Sequence, residues 1–326
     1  MLVTAARHLP VMLDRCLELL RPRAGGVYLD ATLGLGGHAE ALLAASAPDG
    51  RVVGLDRDPA ALGLARERLA WAGGRLVAVH ASFADLAEVA AGLGLAQVDG
   101  VLYDLGVSSL QLDEAARGFG YRKDAPLDMR MDPRGGITAA EVVNRYPRAE
   151  LARVLRDYGE ERFAGRIAAA VDRARRRAPI HSTGELADLV KQAIPAATRR
   201  SGPHPARRTF QALRIEVNGE LDALRASLPQ AIRLLAPGGR IVVLAYHSLE
   251  DRIVKQAFAA AARARWSPPE LPEHLIQATP QLTVLTRRPE TPSPAEIAGN
   301  PRAESAKLRA AEKLPATAPD FPRGTP

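Results

Sequence analysis

Four short apolar runs, each followed by a different kind of stretch, limit what this chain can fold into. Val27-Tyr28-Leu29 leads into Asp30 and a glycine-rich turn, and Arg51 to Leu55 ends at Asp56. Leu76 to Val79 forms a third run, and Gly100 to Tyr103 a fourth that ends at Asp104. Helical patterns lie between them, among them His38 to Ala45 and a helix opened by Asp58-Pro59, where proline suits the first turn. An earlier helix, Val11 to Leu20, sets Leu13, Cys16, Leu17 and Leu20 on one face before Pro22 and Gly25-Gly26 end it. Strands alternating with helices predict an α/β fold, a parallel sheet covered by helices.

The rhythm breaks after Ser109. Arg145 to Arg177 reads as helical, with Leu151, Val154, Leu155 and Tyr158 spaced at three and four, and Arg199 to Pro205 reads as a loop. The alternation returns at Leu221 to Leu235, followed by a turn at Pro237-Gly238-Gly239 and a strand from Ile241 to Ala245. The expected organisation is a sheet domain of residues 1–110 and 221–289 with an all-helical domain, 111–220, inserted between two late strands. Eight of the 25 prolines fall between 289 and 326. The tail, 290–326, is therefore expected to be extended, apart from a short helix near Ala303 to Lys313.

Charge follows the same division. The chain carries +7 overall, but Arg145 to Arg214 holds 16 basic and seven acidic residues, net +9. The whole positive excess belongs to the insert, which suggests a polyanion-binding face there. Arg175-Arg176-Arg177 reads equally as part of that face or as a solvated helix end. One cysteine, Cys16, excludes a disulfide framework and a cysteine-rich metal site, and no metal is expected. No apolar run approaches the roughly 20 residues of a membrane span, and Arg7, Asp14 and Arg15 interrupt the N-terminal apolar stretch. A soluble, cytoplasmic protein is expected.

Three constellations carry chemistry. In Asp30-Ala31-Thr32-Leu33-Gly34-Leu35-Gly36-Gly37-His38 the glycines permit a tight turn and let a cofactor lie against bare backbone, although a plain strand-to-helix turn would look similar. Asp56 follows Gly36 by 20 residues, where a carboxylate can accept both ribose hydroxyls of a nucleoside. Dinucleotide enzymes use such a turn to hold pyrophosphate. Asp30 would repel pyrophosphate and attract an ammonium, which favours S-adenosylmethionine over NAD. The second constellation is the Pro237-Gly238-Gly239 turn before a strand. The third, Asp104-Leu105-Gly106-Val107-Ser108-Ser109 with Gln111, follows a strand end that opens onto the binding crevice, where a polar acceptor can hold a target amine. An aspartate that simply caps the next segment would give the same pattern at Asp104.

Further blocks make the resemblance specific. They include Asp56-Arg57-Asp58-Pro59, Arg117-Gly118-Phe119, Pro126-Leu127-Asp128-Met129-Arg130-Met131-Asp132 and Tyr158-Gly159-Glu160-Glu161-Arg162-Phe163. Arg208-Thr209-Phe210-Gln211-Ala212-Leu213-Arg214-Ile215, His247-Ser248-Leu249-Glu250-Asp251-Arg252, Asn300-Pro301-Arg302 and Ser305-Ala306-Lys307-Leu308-Arg309 complete the set. Over nearly its whole length the chain resembles the bacterial small-subunit ribosomal RNA cytosine-N(4) methyltransferases of family H. The resemblance implies a Rossmann-like class I methyltransferase domain. It also implies transfer of a methyl group from S-adenosylmethionine to the N(4) amine of a cytosine in the decoding region of 16S rRNA, within the small ribosomal subunit. Cofactor contacts are implied for Gly36, Gly37, His38, Asp56, Phe83, Asp104 and Gln111, with Phe83 placed to pack against adenine. Asp104 and His247 are the candidate catalytic residues, His247 on the ground that it follows the fifth strand beside the crevice. Arg207, Arg208 and Arg214 are the candidate RNA ligands. Phe119, Tyr121 and Phe210 suit either base stacking or core packing. His181, His204 and His274 read as surface or loop histidines. Leu33, Leu35 and Tyr246 depart from the family pattern, Tyr246 standing where phenylalanine is common. The rival readings are a nicotinamide-dependent dehydrogenase and a non-catalytic RNA-binding protein on an old cofactor fold.

Overall fold

A computed structural model describes residues 10–196, 204–263 and 279–315. The chain divides into two compact units, Met1–Gly106 with Ala223–Pro326, and Val107–Asp222. The predicted loop positions 199–203 and His274 lie outside the described residues.

The first unit begins with α1 (Leu13–Leu20), β1 (Val27–Asp30), α2 (Gly37–Ala45), β2 (Arg51–Asp56) and α3 (Pro59–Arg68). It continues with β3 (Leu76–His80), α4 (Leu86–Gly92) and β4 (Val98–Asp104). Local chemistry sets these boundaries. Asp58 caps α3 by accepting the Ala60 N–H at 3.0 Å, and Pro59 takes the first turn, where its missing N–H costs nothing. The second unit is helical, with α5 (Ser109–Asp113), α6 (Ala139–Arg145), α7 (Arg148–Asp157), α8 (Ala164–Arg175), α9 (Thr183–Ala193) and α10 (Arg207–Asn218). Capping boxes at Ser108, Thr138 and Ser182 start α5, α6 and α9. Its core joins Leu151, Val154, Leu155, Ile167, Val190 and Leu213. Phe119 and Phe210 are buried in the same core, which resolves both in favour of packing.

After α11 (Glu220–Leu234) the chain returns to the sheet with β5 (Leu235–Ala245), α12 (Ser248–Ala261), β6 (Leu282–Val284), α13 (Pro294–Gly299) and β7 (Lys307–Lys313). The strand order is β3-β2-β1-β4-β5-β7-β6. β1 to β5 run parallel, and β7 runs antiparallel between β5 and β6. This is the Rossmann-like sheet that the resemblance implied. The order reverses between β1 and β4, which opens a crevice at the carboxyl ends of those strands. The predicted turn at Pro237-Gly238-Gly239 lies inside β5 as an irregularity. Leu235 pairs with Val98, and the regular register resumes only at Arg240 opposite Gly100.

The tail differs from expectation. The helix predicted near Ala303 to Lys313 is instead a 3-10 turn, Pro301–Ser305, followed by strand β7. Lys307 to Lys313 is rich in helix-forming residues, but pairing on both sides overrides that preference. Leu308, Ala310 and Ala311 are fully buried. Arg309, buried with them, donates to Asp251 on α12 at 2.6 and 3.2 Å, and Arg240 on β5 meets Glu312 at 2.8 Å. Residues 290–315 therefore belong to the sheet unit.

Candidate functional site

The carboxyl ends of β1, β2 and β4 each present an aspartate: Asp30, Asp56 and Asp104. The turn after β1 needs its glycines for two reasons. Gly34 and Gly36 are left-handed, with φ of 51° and 79°. Packing adds to this, since a Cβ on Gly36 would lie 2.8 Å from Leu69 Cδ1, and one on Gly37 would lie 2.6 Å from Pro10 Cγ.

Asp56 is held by this turn. Its Oδ2 accepts the Gly34 N–H at 2.7 Å and its Oδ1 accepts the Asp58 N–H at 2.8 Å. Burial pushes its carboxyl above the usual range, against the opposing pull of those two donors. Each oxygen keeps a lone pair for a further donor.

Asp30 is 1% exposed. Its Oδ1 accepts the Thr32 N–H at 3.1 Å, while its buried Oδ2 has no hydrogen-bond partner. Burial raises its carboxyl to about 7, with the nearby His38 opposing the rise. His38, in the first turn of α2, is also buried, and its Nδ1 and Nε2 lack well-formed hydrogen bonds. Nε2 makes only a long contact, 3.5 Å, with Asp104 Oδ2. Burial by itself would lower the imidazole pKa. The Asp104 carboxylate, through that contact and its charge, and the charge of Asp30 outweigh burial and hold it above the usual value.

Asp104 is fixed from two sides. Its N–H donates to Thr32 Oγ1 at 2.6 Å, and its Oδ1 accepts the Tyr246 hydroxyl at 2.6 Å. Sequence reasoning missed both partners as site residues. Thr32 carries no signal beyond its place in the turn, and the contact to Tyr246 depends on the β4–β5 register. Phe83, half-buried in a short 3-10 turn after β3, packs edge-on against Tyr103 with ring centroids 5.8 Å apart.

His247 has a structural duty. It is the N-cap of α12, with Nδ1 accepting the Glu250 N–H at 3.4 Å and Nε2 lying 3.2 Å from Glu250 Oε1. An Nδ1 that accepts a backbone N–H puts the ring proton on Nε2, facing Glu250. The imidazole expected to take part in catalysis also serves as a helix cap.

The remaining candidates lie in the helical unit. Gln111 completes the capping box of α5, its Oε1 accepting the Ser108 N–H at 3.1 Å. Arg207 and Arg208 open α10 and are exposed. Arg214 makes a two-pronged ion pair with Glu220, at 2.8 Å on each arm, and its side chain is 15% exposed. Within the fold its charge is balanced by the Glu220 carboxylate. Arg175 also turns inward, donating to the carbonyls of Val143 and Tyr146. Tyr121 stacks on His204 at 4.5 Å. Among the described residues no helix is long and apolar enough to cross a membrane.

Comparison with known proteins agrees with this architecture. The model of the MraW methylase family matches residues 5–314. A protein of Saccharopolyspora erythraea named ribosomal RNA small subunit methyltransferase H is 58% identical over 311 residues, covering 94% of each chain. Proteins of the same name from Heliobacterium modesticaldum and Thermobifida fusca are 54% and 56% identical. The matches cover 94% and 95% of this chain, and 98% and 94% of those relatives. A match of this extent leaves no room for the dehydrogenase reading, and the chain belongs to the MraW methylase family.

Proposed function

We propose that the protein transfers the methyl group of S-adenosylmethionine to the exocyclic N(4) amine of a cytosine in 16S rRNA, within the small ribosomal subunit and hence in the cytoplasm. The observation that carries the cofactor reading is the buried Asp30 Oδ2 without a partner, on the strand next to Asp56. Buried polar atoms are normally satisfied, and an anionic one calls for a cation. The ammonium of the methyl donor has the right charge, and the pyrophosphate of a dinucleotide has the wrong one. Asp56, already oriented by two backbone donors, suits the ribose hydroxyls. Gly36, Gly37, His38, Phe83, Asp104 and Gln111 complete the proposed cofactor set, with Phe83 against adenine.

When bound, S-adenosylmethionine supplies an electrophilic methyl group on a sulfonium. Cytosine's exocyclic nitrogen is a poor nucleophile because its lone pair is delocalised into the ring. A carboxylate is too weak a base to deprotonate that neutral amine beforehand. Asp104 instead accepts a hydrogen bond from the amine, orients it and stabilises the positive charge that develops on nitrogen. The proton leaves after transfer, when the nitrogen is far more acidic. RNA affinity comes from the helical unit, where Arg207 and Arg208 stand in the segment that carries net +9. The relatives' name, ribosomal RNA small subunit methyltransferase H, supports the substrate. The test is mass spectrometry of nucleosides from 16S rRNA of cells carrying the wild-type gene or Asp104→Ala. N(4)-methylcytidine should be lost in the variant, and its persistence would refute the assignment.

A further inference from the structure

We infer that Tyr246 is a positioning residue for Asp104, its hydroxyl holding the carboxylate in the orientation that receives the target amine. The inference rests on the proposed role of Asp104. The phenol donates to Asp104 Oδ1 at 2.6 Å, a charge-assisted distance. Asp104 pairs with Leu244 across the β4–β5 ladder, and Tyr246 lies two residues beyond that partner, just past the end of β5. The Leu105 N–H donates to the Leu244 carbonyl at 3.0 Å and locks this register.

The tyrosine is itself anchored. Its N–H donates to Glu250 Oε2 at 2.8 Å, and the same oxygen takes the His247 N–H at 3.2 Å. Glu250 is 2% exposed and closes the capping box of α12. Gly106, left-handed with φ of 99°, turns the chain after β4 beside the Tyr246 ring. The start of α12 therefore fixes the Tyr246 backbone, and Tyr246 fixes Asp104.

The phenol stays a donor. Burial, then the charge and hydrogen bond of Asp104, push its pKa well above the ordinary tyrosine value, with Cys16 on α1 and Glu250 on α12 adding to the rise. One carboxylate oxygen is thus occupied by a neutral, permanently protonated donor. The other, Oδ2, faces the buried His38 imidazole at 3.5 Å. Without the hydroxyl the carboxylate can rotate about its terminal torsion, which has a broad and shallow profile. It would then spend less time in the one orientation useful to the amine.

A double-mutant cycle tests this by single-turnover methylation of undermethylated small subunits at saturating donor. Tyr246→Phe keeps the ring and removes only the hydroxyl, and thermal melting checks that it folds. The expected rate loss is roughly fivefold, the order of one net hydrogen bond, with donor affinity by calorimetry held within about twofold. In an Asp104→Ala background the same substitution should change the rate by less than about twofold, because its effect passes through the missing carboxylate. Incorporation of 3-fluorotyrosine at position 246, which keeps the hydroxyl, should restore the rate. An unchanged rate for Tyr246→Phe, or the same loss in both backgrounds, would overturn the inference. If Asp104→Ala alone were near normal, the proposed role of Asp104 would fail instead.

Discussion

Replacing Asp30 by asparagine should make the protein more stable and its cofactor binding weaker. Burial raises the Asp30 carboxyl from an ordinary 3.8 to about 7. At about 1.4 kcal/mol per pH unit, that difference corresponds to a penalty of about 4 kcal/mol on the ionised form in the folded protein above neutrality. The sign follows from proton counting. Between about pH 4 and 7 the folded state keeps a proton that the unfolded state has lost, so stability falls as pH rises through that window. The asparagine side chain of Asp30→Asn carries no charge, but its amide still needs partners, so about 2 kcal/mol of the penalty should be recovered at pH 8. Donor binding should weaken by about 1.5–3 kcal/mol, the range for a lost charge-assisted hydrogen bond. Urea unfolding at pH 8 and calorimetry with S-adenosylmethionine measure the two halves. In the wild type, binding at pH 6 should release a proton, because the ammonium selects the carboxylate. A variant that is less stable than wild type at pH 8, or that binds the donor equally well, would refute the argument.

Other predictions bear on separate parts of the molecule. Asp56→Ala should cost about 1.5–3 kcal/mol of donor affinity by calorimetry. Asp104→Ala should cut the single-turnover rate by about a hundredfold or more while donor affinity suffers less, as rapid-quench assays at saturating donor would show. Reversing Arg207 and Arg208 to glutamate should weaken binding to small subunits and lower its logarithmic salt dependence by about two or more, with donor affinity unchanged. Asp251→Ala should destabilise the protein by about 3 kcal/mol in urea, because it strips the partner from Arg309 on a central strand.

The parts of the fold that were legible in the sequence are those set by local chemistry. β1, β2 and β4 end at Asp30, Asp56 and Asp104, and Asp58-Pro59 starts α3 with both a cap and a compatible ring. β7 was not legible. Lys307 to Lys313 alternates no pattern that marks a strand, and it becomes one only because β5 and β6 offer ladders on both sides. Its arginine is tolerated in the interior because Asp251, on a helix more than fifty residues earlier, meets it there. The Arg214 ion pair was hidden for a similar reason, since Glu220 lies six residues on, beyond the i+4 reach of an ordinary helical pair, and Gly219 turns the chain to bring it back.

The site divides in the same way. Asp30, Asp56 and Asp104 were readable because each ends a strand at the edge where parallel sheets bind ligands. The contact between Tyr246 and Asp104 was hidden, since it exists only once β4 and β5 are in register. For His247, sequence shows its proximity to the crevice but not its hydrogen-bond duty at α12. Both histidines carry a buried Nε2 without a hydrogen bond, and they differ at Nδ1. The His247 imidazole accepts a backbone N–H and faces the glutamate of its own capping box. His38 has only a long contact to Asp104, and it lies beside an Asp30 oxygen with no partner at all. The unmatched Asp30 oxygen and the two His38 nitrogens stand at the carboxyl end of β1 and in the first turn of α2. We propose on these contacts that Asp30 and His38 hold the methyl donor while His247 holds the start of α12.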